Sequence, residues 1–194
     1  MLEQIARDGL TKGETMKFAA MTVLILAGLT ASAQDEMMQM KPPPEMKNVE
    51  WMVGEWTTNF KMYPPGEGME PMNSTGTSIT KMALGGRYLQ SMATFSMGEM
   101  GSFEGMQMLS YDPDAKKWKA IWFDSMSSAG MEMTGDLVGN TMTLTSRPTP
   151  MHGMGNQTFR ATATKKSDKE MSFLLEMKEG DNWNKMIEGA YTKK

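Results

Sequence analysis

Residues 103–126 read FEGMQMLSYDPDAKKWKAIWFDSM. Two runs, 103–111 and 117–126, flank Asp112-Pro113-Asp114. Proline presets φ for a turn, and an aspartate side chain can bond the backbone two residues on, so the stretch predicts an antiparallel hairpin. Side chains alternate along a strand. The second run therefore puts Trp118, Ala120, Trp122 and Asp124 on one face and Lys119, Ile121, Phe123 and Ser125 on the other. Neither face is purely apolar. A dry core rejects this mixture, whereas a barrel around a partly wet cavity accepts it. The competing reading is an edge strand with aromatics on its surface.

The same pattern extends in both directions. Residues 56–62, 73–83, 87–97, 130–137, 141–147, 157–165, 170–178 and 183–192 read as strands. Gly85-Gly86, Gly139-Asn140, Ser167-Asp168 and Gly180-Asp181-Asn182 mark short turns between them. Helical periodicity is absent from Val53 onward, although residues 45–52 have room for one short helix. Ten sequential strands with short hairpins form a meander, and closing it removes the exposed edges. The expected fold is all-β, a ten-stranded antiparallel up-and-down barrel over residues 49–194. A two-sheet sandwich is the alternative, but its long crossing connections are not evident.

Composition narrows the function. The chain has 194 residues and a net charge of -3, so no basic excess supports a nucleic-acid partner. It has no Cys and a single His, which removes disulfides, thiolate metal sites and any mechanism needing two imidazoles. No G-x-S-x-G elbow occurs, and nothing in the spacing selects one carboxylate pair over another, so the sequence does not read as an enzyme. The 26 Met residues are the anomaly.

Residues 18–29 (FAAMTVLILAGL) form an apolar run too short to span a bilayer, followed by Ala31-Ser32-Ala33. This predicts a signal peptide over 1–33 and a periplasmic or secreted protein; an uncleaved anchor is the competing reading. Residues 1–17 balance their charges, and a start at Met16 would leave a positive Lys17 before the run, so 1–15 reads as a misassigned start. Residues 34–48 (QDEMMQMKPPPEMKN) are polar, Pro-rich and Met-rich, and predict a disordered lead.

Gly54-Glu55-Trp56 resembles the Gly-x-Trp mark of the lipocalin-like, or calycin, barrels. Leu84-Gly85-Gly86-Arg87-Tyr88-Leu89, Phe103-Glu104-Gly105, Tyr111-Asp112-Pro113 and Trp122-Phe123-Asp124-Ser125 resemble a bacterial family known as domain of unknown function 1579, which is grouped with the calycins. The resemblance covers about residues 45–192. It implies a calycin barrel whose Gly-x-Trp tryptophan plugs the closed end, and it implies no catalytic residues.

The expected activity is binding of a small apolar or amphipathic molecule by a monomer. Trp56 and Phe60 follow as cavity residues from the Gly-x-Trp register and the period of two, and Trp122 and Asp124 from one face of the opening stretch. Arg87 is the expected counter-charge for Asp124 or for an acidic head group. The rival reading uses methionine. Soft thioethers select Cu(I), or they buffer oxidants as sulfoxides. In that reading copper(I) would bind Met151, His152 and Met154 in a loop that also holds Pro148 and Pro150. Haem on His152 has no second supporting motif.

Overall fold

A computed structural model describes residues 41–64, 69–98, 101–151 and 153–194. The apolar run, the cleavage site and His152 lie outside the described residues. The chain divides into Met1–Lys41 and Pro42–Lys194, and the second unit holds all the described elements.

That unit opens with a 3₁₀ helix, Pro44–Met52. The strands are β1 (Gly54–Met62), β2 (Met72–Ala83), β3 (Tyr88–Ser96), β4 (Ser102–Asp112), β5 (Lys117–Asp124), β6 (Met131–Val138), β7 (Thr141–Ser146), β8 (Thr149–Met151), β9 (Gly155–Gln157), β10 (Phe159–Lys165), β11 (Glu170–Glu179) and β12 (Asn182–Lys193). Ten of them close into an antiparallel barrel in the order β1-β12-β11-β10-β7-β6-β5-β4-β3-β2. The seam runs from Trp56 opposite Lys193 to Met62 opposite Ile187. The expected ten staves are therefore present. The added hairpin β8–β9 sits in the β7–β10 connection, where the sequence predicts a loop.

The short helix expected over 45–52 is present and begins at Pro44, so residues 44–48 belong with the barrel and not with a free lead. Pro44 at its first turn fits, because a proline there forfeits a donor that has no helical partner anyway. Met46 and Val49 are 2% and 0% exposed and pack onto Leu89, Leu109, Trp118, Ala120, Met133, Met142 and Leu144. The helix is the plug of one barrel end. At the same end, the β2–β3 connection carries positive φ at Leu84, Gly85 and Gly86, which makes it looser than a two-residue hairpin.

A second core cluster lies toward the other end. Phe60, Ala93 and Phe95 are its buried centre, with Phe103, Trp122, Phe173, Ile187 and Tyr191 around them. Alternation is clean in β1, where Trp56, Thr58 and Phe60 are buried and Glu55, Thr57 and Asn59 are exposed.

Candidate functional site

The plugged end is built around Trp56, which is 1% exposed. Its indole Nε1 donates to the Met52 carbonyl at 2.9 Å and so ties the first strand to the end of the helix. Lys193, from the last strand, places its ammonium 5.1 Å from the Trp56 ring centre and donates to the Trp51 carbonyl at 3.3 Å. Trp56 is the floor of the barrel, as the Gly-x-Trp resemblance implies.

Phe60 lies two pleat repeats further up, among aromatic rings. Its centroid is 5.2 Å from Tyr191 and 5.7 Å from both Phe95 and Phe173, and Phe95 stacks on Phe103 at 5.0 Å. Burial among these rings pushes the Tyr191 phenol well above its usual pKa. On this side of the lumen the inward residues Phe173, Leu175, Ile187 and Tyr191 are half-buried, in contrast to Trp56, Thr58 and Phe60. Solvent therefore reaches these inward residues of β11 and β12 more than it reaches those of β1.

Polar groups stand within this apolar space. Register puts Ser74 opposite Phe60, and Ser78 opposite Trp56. Thr80 and Ser91 bond each other through their hydroxyls at 2.9 Å, and the Ser146 hydroxyl accepts from the Phe159 amide at 2.8 Å. Thr58 and Ser74 differ. Their side chains are 4% and 2% exposed by residue, and neither hydroxyl oxygen has a partner. Among the described residues the third such oxygen is Glu45 Oε2, in the plug. A shallow hollow of about 570 Å³ outside β5–β7, between Lys117, Lys119, Asp136 and Thr143, contains none of these orphaned groups.

Trp122 and Asp124 come together near the unplugged end. The Trp122 indole donates to Asp124 Oδ2 at 2.9 Å, and the Met126 amide donates to Oδ1 at 3.0 Å. Asp124 pairs with Gly105, and Gly105 pairs with Ala93. Arg87 lies beyond Leu89 in the connection at the plugged end. The expected Arg87–Asp124 pair is thus not made: six residues of β3 and its lead-in separate their levels, at about 3.3 Å per residue. Asp124 is held by an indole and an amide instead. Met151 and Met154 close the β8–β9 hairpin, where the Met154 amide donates to the Met151 carbonyl at 3.0 Å. Both are half-buried, and His152 between them lies outside the described residues.

Sequence reasoning passed over Thr58, Ser74 and Tyr191. The period of two from Trp56 to Phe60 already places Thr58 inside; Ser74 and Tyr191 need the register of β1 with both its neighbours.

The class these features define is a closed ten-stranded antiparallel barrel with a helical plug and an aromatic upper lumen. The chain matches the family described as "Protein of unknown function (DUF1579)" over residues 41–193 and belongs to it. Among solved structures it is similar to the crystal structure of Rv2717c from M. tuberculosis, with a TM-score of 0.55 and 10% identity, covering 79% of this chain and 99% of that one. At that identity the likeness is one of fold. No curated protein matches the chain.

Proposed function

We propose that the barrel binds one small amphipathic molecule in the upper lumen, entering from the unplugged end, and that the protein is an exported monomeric carrier. The observation that carries this reading is the pair of orphaned hydroxyls, Thr58 Oγ1 and Ser74 Oγ, beside the ring cluster of Phe60. A buried hydroxyl without a partner costs about 1–3 kcal/mol. A ligand with an apolar body and one hydroxyl, carbonyl or carboxylate end would fill the half-buried side along β11 and β12 and give those oxygens a partner. Export rests on the apolar run and the Ala-Ser-Ala site of the sequence. The reading assigns binding, with no bond made or broken.

The test is a titration of the full chain with a dansylated fatty acid, read through probe and tryptophan emission. Saturable binding below about millimolar, a threshold near 4 kcal/mol, supports the reading, and Trp122→Ala should weaken it with the fold retained. No saturable binding from a broad set of such probes would leave the barrel filled and structural.

A further inference from the structure

We propose a thioether site for Cu(I) on the outer wall of the barrel, formed by Met92, Met106 and Met108. The register places these residues together. Ala93 and Gly105 are buried, so their neighbours Met92 on β3 and Met106 on β4 turn outward, and Met108 follows on the same face of β4. Met92 is directly opposite Met106. Opposed residues hold their Cβ atoms about 4.5–5.5 Å apart, and neighbours on one face of a strand about 7 Å apart. A methionine sulfur stands two flexible bonds beyond Cβ, so the three sulfurs can converge on one ion.

The surroundings fit a soft ion. The Gln90 amide donates to Met106 Sδ at 3.5 Å, which holds one sulfur at the surface. Ile79 is opposite Met92, Phe123 opposite Met106, and Ile121 opposite Met108. Met92, Ile79 and Phe123 are 47%, 56% and 42% exposed. Outward positions elsewhere on β1–β3 are mostly polar or charged, as at Thr57, Asn59, Thr75, Thr77 and Thr94, so these methionines stand where the wall turns apolar. Thioethers are neutral, unprotonated and soft, and they favour Cu(I) over hard divalent cations. Glu104, the next outward residue of β4, can balance the single charge. Among the described residues no group of three or more His, Asp or Glu side chains could hold a harder metal. This site is distinct from the lumen and from the 151–154 loop.

The experiment is anaerobic competition for Cu(I) between the full chain and a colorimetric Cu(I) chelator. Replacing Met92, Met106 and Met108 together by Leu should weaken binding at least tenfold and remove one equivalent. Replacing the exposed Met69 and Met126 by Leu should leave binding unchanged. Equal affinity in all three proteins, or an equal loss in both variants, overturns the proposal. Should the triple variant fold poorly, methyl-labelled methionine NMR of the unmodified chain decides: three ε-methyl signals moving together at one equivalent supports the site, and a uniform drift of all methionines overturns it. Dansyl-probe binding to the lumen should be the same with and without Cu(I), so failure of one proposal is separable from failure of the other.

Discussion

The indole of Trp122 occupies the space that a side chain on Gly105 would fill. A Cβ built on Gly105 would lie 2.1 Å from Cζ2 and 2.2 Å from Cη2 of that ring. The two residues are far apart in sequence but belong to adjacent paired strands, β4 and β5. Asp124 then fixes the ring by accepting its N–H, and Glu104 and Ser125 lock the rung next to Gly105 and Asp124 through reciprocal bonds of 2.9 and 3.1 Å. The F-E-G and W-F-D-S motifs are therefore two halves of one local structure.

Gly105→Ala should destabilise the barrel by about 1–3 kcal/mol, the cost of overpacking a filled space. In an open strand the same change would be neutral or favourable. The expected signature is non-additivity: Gly105→Ala should cost little in a Trp122→Ala background, as measured by a denaturant double-mutant cycle. Additive costs would mean that the glycine serves the backbone and not the ring.

Much of the barrel was legible because its information is local. Turn residues such as Asp112-Pro113-Asp114 and Gly139-Asn140 mark hairpins, and strict alternation in residues 56–62 marks an inward face. The closure of β1 on β12 followed from edge avoidance and from the family resemblance, without a register, yet it is what brings Lys193 to Trp56 and Tyr191 to Phe60. The Arg87–Asp124 pairing failed for a related reason. Opposite charges were matched without a register, and the register sends them to opposite ends. The start of the helix at Pro44 was obscured by a Pro-Pro-Pro run that reads as extended lead, while its stability comes from Met46 and Val49 docking on strands far along the chain.

Trp56 joins the plug to the wall. Trp56→Ala should cost about 3–5 kcal/mol, in the range for a buried large aromatic. Trp56→Phe should keep part of the packing but lose the bond to the Met52 carbonyl. Its expected effect is local: amide exchange should speed up across Pro44–Met52 before it does so in β4 and β5. Uniform acceleration throughout the barrel would show that the indole N–H has no special hold on the plug.

Tyr191 should make stability fall at alkaline pH. Its phenol is shifted upward by burial, so the folded chain keeps that proton where the unfolded chain, near the ordinary value of about 10, has lost it. The native state then binds more protons than the unfolded state, and the unfolding free energy declines as pH rises above about 10, while the contribution is constant below. Tyr191→Phe should flatten this decline in denaturant midpoints measured from neutral to strongly alkaline pH. An unchanged slope would place the phenol in contact with water.

Thr58 and Ser74 separate stability from binding. In the free barrel their hydroxyls are buried without partners, so each carries an uncompensated desolvation cost. Thr58→Val exchanges the hydroxyl for a methyl of similar size, and Ser74→Ala removes it. Either change should raise the stability of the free protein by about 1 kcal/mol, against the usual trend for a core substitution. The same variants should bind a probe with a carboxylate or hydroxyl end more weakly, by about tenfold for each 1.4 kcal/mol of bonding lost. A probe of equal bulk without a polar end should bind them at least as well as it binds the unmodified chain, because it cannot satisfy the hydroxyls that they lack. Thermal melts and two parallel titrations check all three signs. Lower stability in both variants, with both probes unaffected, would mean that the hydroxyls serve the fold, and the amphipathic reading of the lumen would fall with them.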